Sequence, residues 1–538
     1  MRSYLSAALL IFLLTACAKK QDGQQASQDT TTTAASATSI DFQEVHRPQF
    51  HFTPPAKWMN DPNGMVYHNG EYHLFYQYNP DSTVWGPMHW GHAVSRDMIR
   101  WEHLPIALYP DSLGTIFSGS AVVDANNTSG LGSKDNPPMV AVFTSHEAEE
   151  EKAGRIDFQT QSIAYSTDNG RTWKKYAGNP VLKNPGIRDF RDPKVSWHEP
   201  SGQWIMILAV ADHVELYGSR DLKSWNKLSE FGKQYGAHGG VWECPDLFPL
   251  ELNGQEKWVM LVSINPGGPN GGSATQYFTG RFDGKTFTPD HPAGTTRWLD
   301  HGKDNYAGVT WANLPASDGR RLFIGWMSNW EYAGVVPTGS WRSAMTIARE
   351  LALSNSPAGL RVLSRPVKEL ASIRGKSVEL GSRTVSGEAD LTGEVSFDAA
   401  TAEVVLAFDS FGASKDFGLE LSNDKGQKVL IGYQPGTRNF YVDRSQSGKT
   451  DFSKEFSGRH TAPRIAVDSS LKLHLIIDVA SVELFADNGQ VVITEIFFPD
   501  SPFNRMKLFS REGSAQLTSG KVTQLKSSWE GSQKVAGR

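Results

Sequence analysis

The chain has 538 residues, too many for one ordinary domain, so two or three are expected. Its formal charge is −5, from 53 basic and 58 acidic residues without a basic block, which argues against nucleic acid as a partner. Aromatic residues make up 11%, including 16 Trp, beside 50 Gly and 28 Pro, a composition for short strands joined by turns. Residues 1–17 read as an export signal: Arg2, then the apolar run Leu9–Leu14, too short to span a bilayer. The ending Leu14-Thr15-Ala16-Cys17 resembles a bacterial lipobox, so Cys17 is expected to be lipid-modified and to anchor an exported lipoprotein to a membrane, at the periplasmic face or the cell surface. Cys244 then has no partner, and no disulfide framework is expected. Residues 18–45, polar and nearly free of apolar side chains, read as a flexible tether.

Residues 46–352 carry a weak internal repeat. Ser95-Arg96-Asp97 runs to Trp101, Ser166-Thr167-Asp168 to Trp173, and Ser219-Arg220-Asp221 to Trp225; Asp283 before Phe287 is a looser copy. Each reads as a strand, an Asp-bearing turn, and a strand opened by an aromatic. The copies lie 53 to 71 residues apart, enough for one four-stranded propeller blade each. Counting 17 to 19 residues on from each aromatic reaches Ser118, Asp192, Glu243 and Tyr306. With Asp61 of Trp58-Met59-Asn60-Asp61-Pro62-Asn63-Gly64 at the head, this makes five comparable positions, one per blade. Innermost strands line a propeller's channel, so these five side chains are expected in one pocket.

Three converging acids suit two chemistries. Oxygen ligands could hold calcium or magnesium, but no Asp-x-Asp-x-Asp-Gly loop and no zinc spacing accompanies them. Glycoside hydrolysis needs two carboxyl groups, one to attack or activate water and one to protonate the leaving oxygen. No Gly-x-Ser-x-Gly is paired with a plausible His and Asp. A metal or organic cofactor is not expected.

The motifs Trp-Met-Asn-Asp-Pro-Asn-Gly, Phe-Ser-Gly-Ser, Phe-Arg-Asp-Pro and Trp-Glu-Cys-Pro-Asp, in that order, resemble glycoside hydrolase family 32, the invertases, inulinases and levanases. The resemblance covers residues 46 to 520 and implies an all-β fold, a five-bladed β-propeller followed by a C-terminal β-sandwich. It implies Asp61 as nucleophile, Glu243 as general acid/base and Asp192 as transition-state stabiliser. Arg191, Asn60, Gln77, Trp85, Phe117, Ser118, Tyr306 and Trp326 are the implied substrate-binding set. Trp326 belongs at the pocket's side, whereas Trp330 reads as filling between the last blade and the sandwich. The segments Tyr277–Gly284 and Trp326–Tyr332 resemble the inulinase and levanase branch. The expected activity is therefore retaining, exo-acting release of terminal β-D-fructofuranosyl units from inulin or levan, with sucrose as a further substrate. The alternatives are an endo-acting fructanase and a non-catalytic fructan-binding lipoprotein.

Residues 353–372 read as a connector. From 373 to 532 the pattern turns to period two, with Leu471, Leu473, Leu475 and Ile477 alternating with Lys472 and His474, and a hairpin at Asp487-Asn488-Gly489. This is a β-sandwich pattern, expected to buttress the propeller.

Overall fold

The computed structural model describes residues 42–411 and 414–529. The expected signal segment, tether and Cys17 lie outside the described residues. Five sheets form a ring of blades around a channel, and an eleven-stranded sheet system follows as the sandwich.

The innermost strands are Lys57–His68, Thr115–Val123, Phe190–His198, Val241–Leu252 and Tyr306–Thr310. Each later strand of a blade pairs antiparallel with its predecessor. The ring closes where Trp341–Arg342, from the last blade, lies parallel to Lys57 and Trp58 of the first.

The repeated Asp motifs are the turns between the third and fourth strands of the first four blades. The Asp97 carboxylate accepts the N–H groups of Ile99 and Arg100, that of Asp221 those of Lys223 and Ser224, and that of Asp283 those of Lys285 and Thr286. Asp168 accepts from Thr172 N–H in the same way. The following Trp101, Trp173 and Trp225 return their indole N–H to a carbonyl three residues back. One short side chain thus satisfies donors that the reversing backbone would leave open, and this local solution recurs visibly in the sequence.

The connector expected at 353–372 is mostly strand. Arg349–Ser356 and Gly359–Pro366 pair along their full length and complete the fifth blade, so only Val367 and the 3-10 turn Lys368–Ile373 link the domains. In the sandwich, Leu471, Leu473, Leu475 and Ile477 are buried while Lys472 and His474 are half-buried, as the alternation requires. The 21-residue strand Arg505–Leu525 pairs with four others along its length and bends at Glu512-Gly513, both with positive φ.

The two domains share buried charge. Arg349 bridges Asp300 (3.0 Å) and Glu483, and Arg444 meets Asp304 (2.5 Å) and Glu495 (2.9 Å). Gly302 lies between these aspartates, and a Cβ there would come within 2.1 Å of the Thr494 carbonyl oxygen of the sandwich. Only glycine permits that approach. The loop carrying Asp300 and Asp304 leads directly into Tyr306, so the sandwich holds the entry to the fifth inner strand.

Candidate active site

Each inner strand breaks register at the same level. The pairing shifts between Met59 and Pro62, Ile116 and Gly119, Arg191 and Lys194, Glu243 and Asp246, and Tyr306 and Val309. A bulge turns a side chain out of the pleat, here toward the channel. Three bulges contain a proline, Pro62, Pro193 and Pro245, tolerated because an innermost strand is an edge with N–H groups to spare. Asp192, Cys244 and Ala307 adopt left-handed φ of 64°, 45° and 53°, local strain held by the surrounding sheets.

The bulges bring Asp61, Ser118, Asp192 and Glu243 to one cavity of about 250 Å3, also lined by Asn60, Gln77, Trp85, Phe117 and Arg191. Asp61 Oδ2 accepts from Ser118 Oγ (2.7 Å) and Oδ1 from Asn60 Nδ2 (3.0 Å). Asn60 is itself oriented by the Trp58 indole N–H (2.7 Å). Asp192 Oδ2 accepts from the backbone N–H of Cys244 (3.0 Å), and the Cys244 thiol lies 3.5 Å from Asp61 and 3.6 Å from Asp192. Arg191 holds Glu243 Oε1 with two N–H groups (3.0 and 3.2 Å) and Asp189 with a third (2.5 Å). The Tyr306 hydroxyl donates to Glu243 Oε2.

Three carboxylates around one guanidinium leave an excess of negative charge. Burial and the nearby Glu243 push the Asp61 carboxyl up, opposed by Ser118, Asn60 and Cys244. Burial raises Asp192 to about 7 against the pull of Arg191. Burial also pushes the Cys244 thiol and the Tyr306 phenol well up, so both stay protonated and act as donors. Cys244 is thereby an inert packing residue beside the acids. Such a set can attack an electrophilic carbon, donate a proton to a leaving group and stabilise developing positive charge.

Two aromatic placements differ from the sequence reading. Trp326 is fully buried, packed between Trp58, Tyr306 and Trp330, and does not line the cavity. Trp330, expected as filling, lines it instead, stacked 5.9 Å from Trp58. Strand Arg321–Met327 turns Trp326 into the core, whereas Trp330 falls in the loop beyond the strand's end. Tyr306 is likewise buried and reaches the site through Glu243 rather than forming the wall. Trp85 stands half-exposed at the rim, edge-on to Phe117 at 6.1 Å. Gln77 is buried with its Nε2 donor unpartnered at the cavity, which suits a ligand hydroxyl.

The sequence reading missed the opposite rim, made by the second blade. His146 stacks on Phe117 at 4.1 Å and meets Glu151 (3.2 Å), which also pairs with Arg188 (2.8 Å). Glu151 comes from the short helix Ala148–Lys152, and Phe158 and Gln159 complete that side. No repeat or motif marks these residues. Among the described residues one His/Glu group is close enough to hold a metal ion, His213, Glu215 and Glu230, far from this pocket on the outer part of the third blade. Lys227 already bridges its two carboxylates.

A propeller channel with paired carboxylates on bulged inner strands, capped by a sandwich, is the framework of a glycoside-cleaving enzyme. The chain belongs to glycosyl hydrolase family 32: the family's N-terminal domain matches residues 51–366 and its C-terminal domain 369–524. It is 49% identical over 501 residues to a levanase of Bacillus subtilis, covering 92% of this chain and 72% of that one. It is 40% identical over 524 residues to an extracellular exo-inulinase of Aspergillus niger, covering 92% and 97%. The crystal structure of an exo-inulinase from Aspergillus awamori superposes with a TM-score of 0.83 at 36% identity, covering 91% of this chain and all of that one.

Proposed function

We propose that this protein is an exo-acting fructan β-fructosidase, which releases terminal β-D-fructofuranosyl units from inulin or levan, and from sucrose, with retained configuration. The observation that carries the proposal is the meeting of Asp61, Asp192 and Glu243 at one cavity about the size of a single sugar ring. That volume lies below the roughly 300–1,000 Å3 of pockets that hold larger ligands. The levanase and exo-inulinase relatives support the substrate class.

In this reading Asp61 attacks the anomeric carbon while Glu243 protonates the departing oxygen. Glu243, now ionised, deprotonates the water that hydrolyses the fructosyl-enzyme ester. Asp192 faces the positive charge of the furanosyl cation-like transition state. Tyr306 and Arg191 hold the Glu243 carboxyl from two sides, which fixes its aim at the leaving oxygen. Asn60, Gln77 and Ser118 take the hydroxyls of the terminal unit, and Trp85, Phe117 and Trp330 supply apolar walls.

Product analysis tests the exo claim. Early in digestion of inulin or levan, free fructose dominates; an early ladder of oligomers with little fructose would replace this reading with an endo-acting cleft. Export and anchoring through Cys17 complete the proposal. The protein partitions with membranes, and Cys17→Ser releases it into the soluble exported fraction; an unchanged distribution would dismiss the anchor.

A further inference from the structure

The strands that begin at the catalytic cavity end at another, of about 450 Å3, lined by their later residues from Val122–Asp124, Lys194–His198, Asp246–Pro249 and Thr310. Asp192 opens on one cavity and Trp197 on the other, five residues further along one strand. At about 3.3 Å per residue the two lie roughly 16 Å apart, at opposite mouths of the channel.

The floor between them is chemically closed. Asp246 accepts from Thr310 N–H (2.7 Å) and Oγ1 (2.8 Å) and pairs with Lys194 (3.2 Å). The walls are not. Trp197 and Trp204 meet edge to face at 5.2 Å, and Trp258 stands on the same cavity. The indole N–H groups of Trp197 and Trp258 are taken by the rim carboxylates Glu199 and Glu256, which leaves ring surface and spare carboxylate lone pairs to a ligand. Arg321 packs its guanidinium 5.1 Å over the Phe248 ring, and its Nε is buried without a hydrogen-bond partner. Buried donors of this kind are ordinarily satisfied.

Charge narrows the ligand. Asp124, Glu199, Asp246 and Glu256 outnumber Lys194 and Arg321 by two, which disfavours an anion. Aromatic surface, edge carboxylates as acceptors and an unused buried donor together match a neutral polyhydroxylated chain. We infer that the far mouth of the channel is a non-catalytic carbohydrate site that holds a second stretch of fructan, an inference that rests on the fructan reading above. Holding the polymer there raises the local concentration of chain ends at the catalytic mouth of the same molecule.

The test uses Glu243→Gln as a non-hydrolysing background in affinity electrophoresis through levan or inulin gels, with and without saturating fructose to fill the catalytic pocket. The site predicts that retardation persists in fructose. It also predicts that adding Trp197→Ala or Trp258→Ala weakens the persisting part at least about fivefold. Loss of all retardation in fructose overturns the inference, and needs no second variant to fold. Folded double variants that bind like the background overturn it too. Failure of the parent reading is separate: the wild-type protein would then release no fructose from either polymer.

Discussion

Ser118→Ala is a sharp perturbation of the nucleophile because it removes one atom from a defined contact. Ser118 Oγ donates to Asp61 Oδ2 at 2.7 Å, while burial and Glu243 press the same carboxyl toward its protonated form. A hydrogen bond to an ionised group contributes about 1.5–3 kcal/mol, and 1.4 kcal/mol corresponds to about one pH unit. Asp61 must be ionised to attack, so its loss of a donor moves the acid limb of the kcat/KM profile upward by about one to two pH units. Water entering the vacated space restores part of the contact, which favours the lower figure. Initial rates on sucrose between about pH 4 and 9 measure the shift. At about pH 5 the variant falls tenfold or more behind the wild type, and the gap narrows as pH rises. A uniform loss at every pH with an unmoved limb would refute the reasoning and leave Ser118 as a sugar contact alone.

Three further outcomes follow from the geometry. His51 lies between Asp478 (2.8 Å) and Glu483 (2.9 Å); burial lowers its pKa but these two acids outweigh it and raise it to about 9. A raised folded-state value stabilises the protein fully below about pH 6.5 and is lost as pH rises through 9, so His51→Asn costs about 3 kcal/mol near pH 6 and much less near pH 10, read from denaturant midpoints. Trp326→Ala, from a fully buried ring, lowers stability by about 3–5 kcal/mol, whereas Trp330→Ala chiefly raises KM; the reverse pattern would restore the sequence expectation. Cys244, buried and held as a thiol, resists alkylation in the folded protein and reacts after denaturation, which mass spectrometry of the labelled peptide shows.

The sequence was readable where structure is local. The Asp-bearing turns recur because each completes its own hydrogen bonds within a few residues, and they set the blade count. The five inner-strand positions followed from near-constant spacing, and all five fall at the bulges the structure shows. Placement failed where the deciding contact is distant in sequence. Trp326 and Trp330 are four residues apart, and only packing against Trp58 and Tyr306 separates core from wall. His146 and Glu151 reach the pocket from a segment without a repeat, and the fifth blade's outer hairpin was hidden by a weak alternation read as a connector. The interdomain ion pairs join residues more than a hundred positions apart, such as Arg349 with Glu483 and Arg444 with Asp304. No spacing rule could reach them.

The division of labour between Asp61 and Glu243 is tested most directly by azide trapping with an activated β-fructoside whose leaving group needs no acid. Asp61→Ala and Glu243→Ala both lose nearly all turnover on fructans. With the activated substrate and azide, Glu243→Ala still forms the fructosyl-enzyme on Asp61, and azide attacks it to give the β-fructosyl azide, retained in configuration. Asp61→Ala has no nucleophile, and any azide product it forms is the inverted α-anomer. Formation of the β-azide by Asp61→Ala and the α-azide by Glu243→Ala would contradict the assignment.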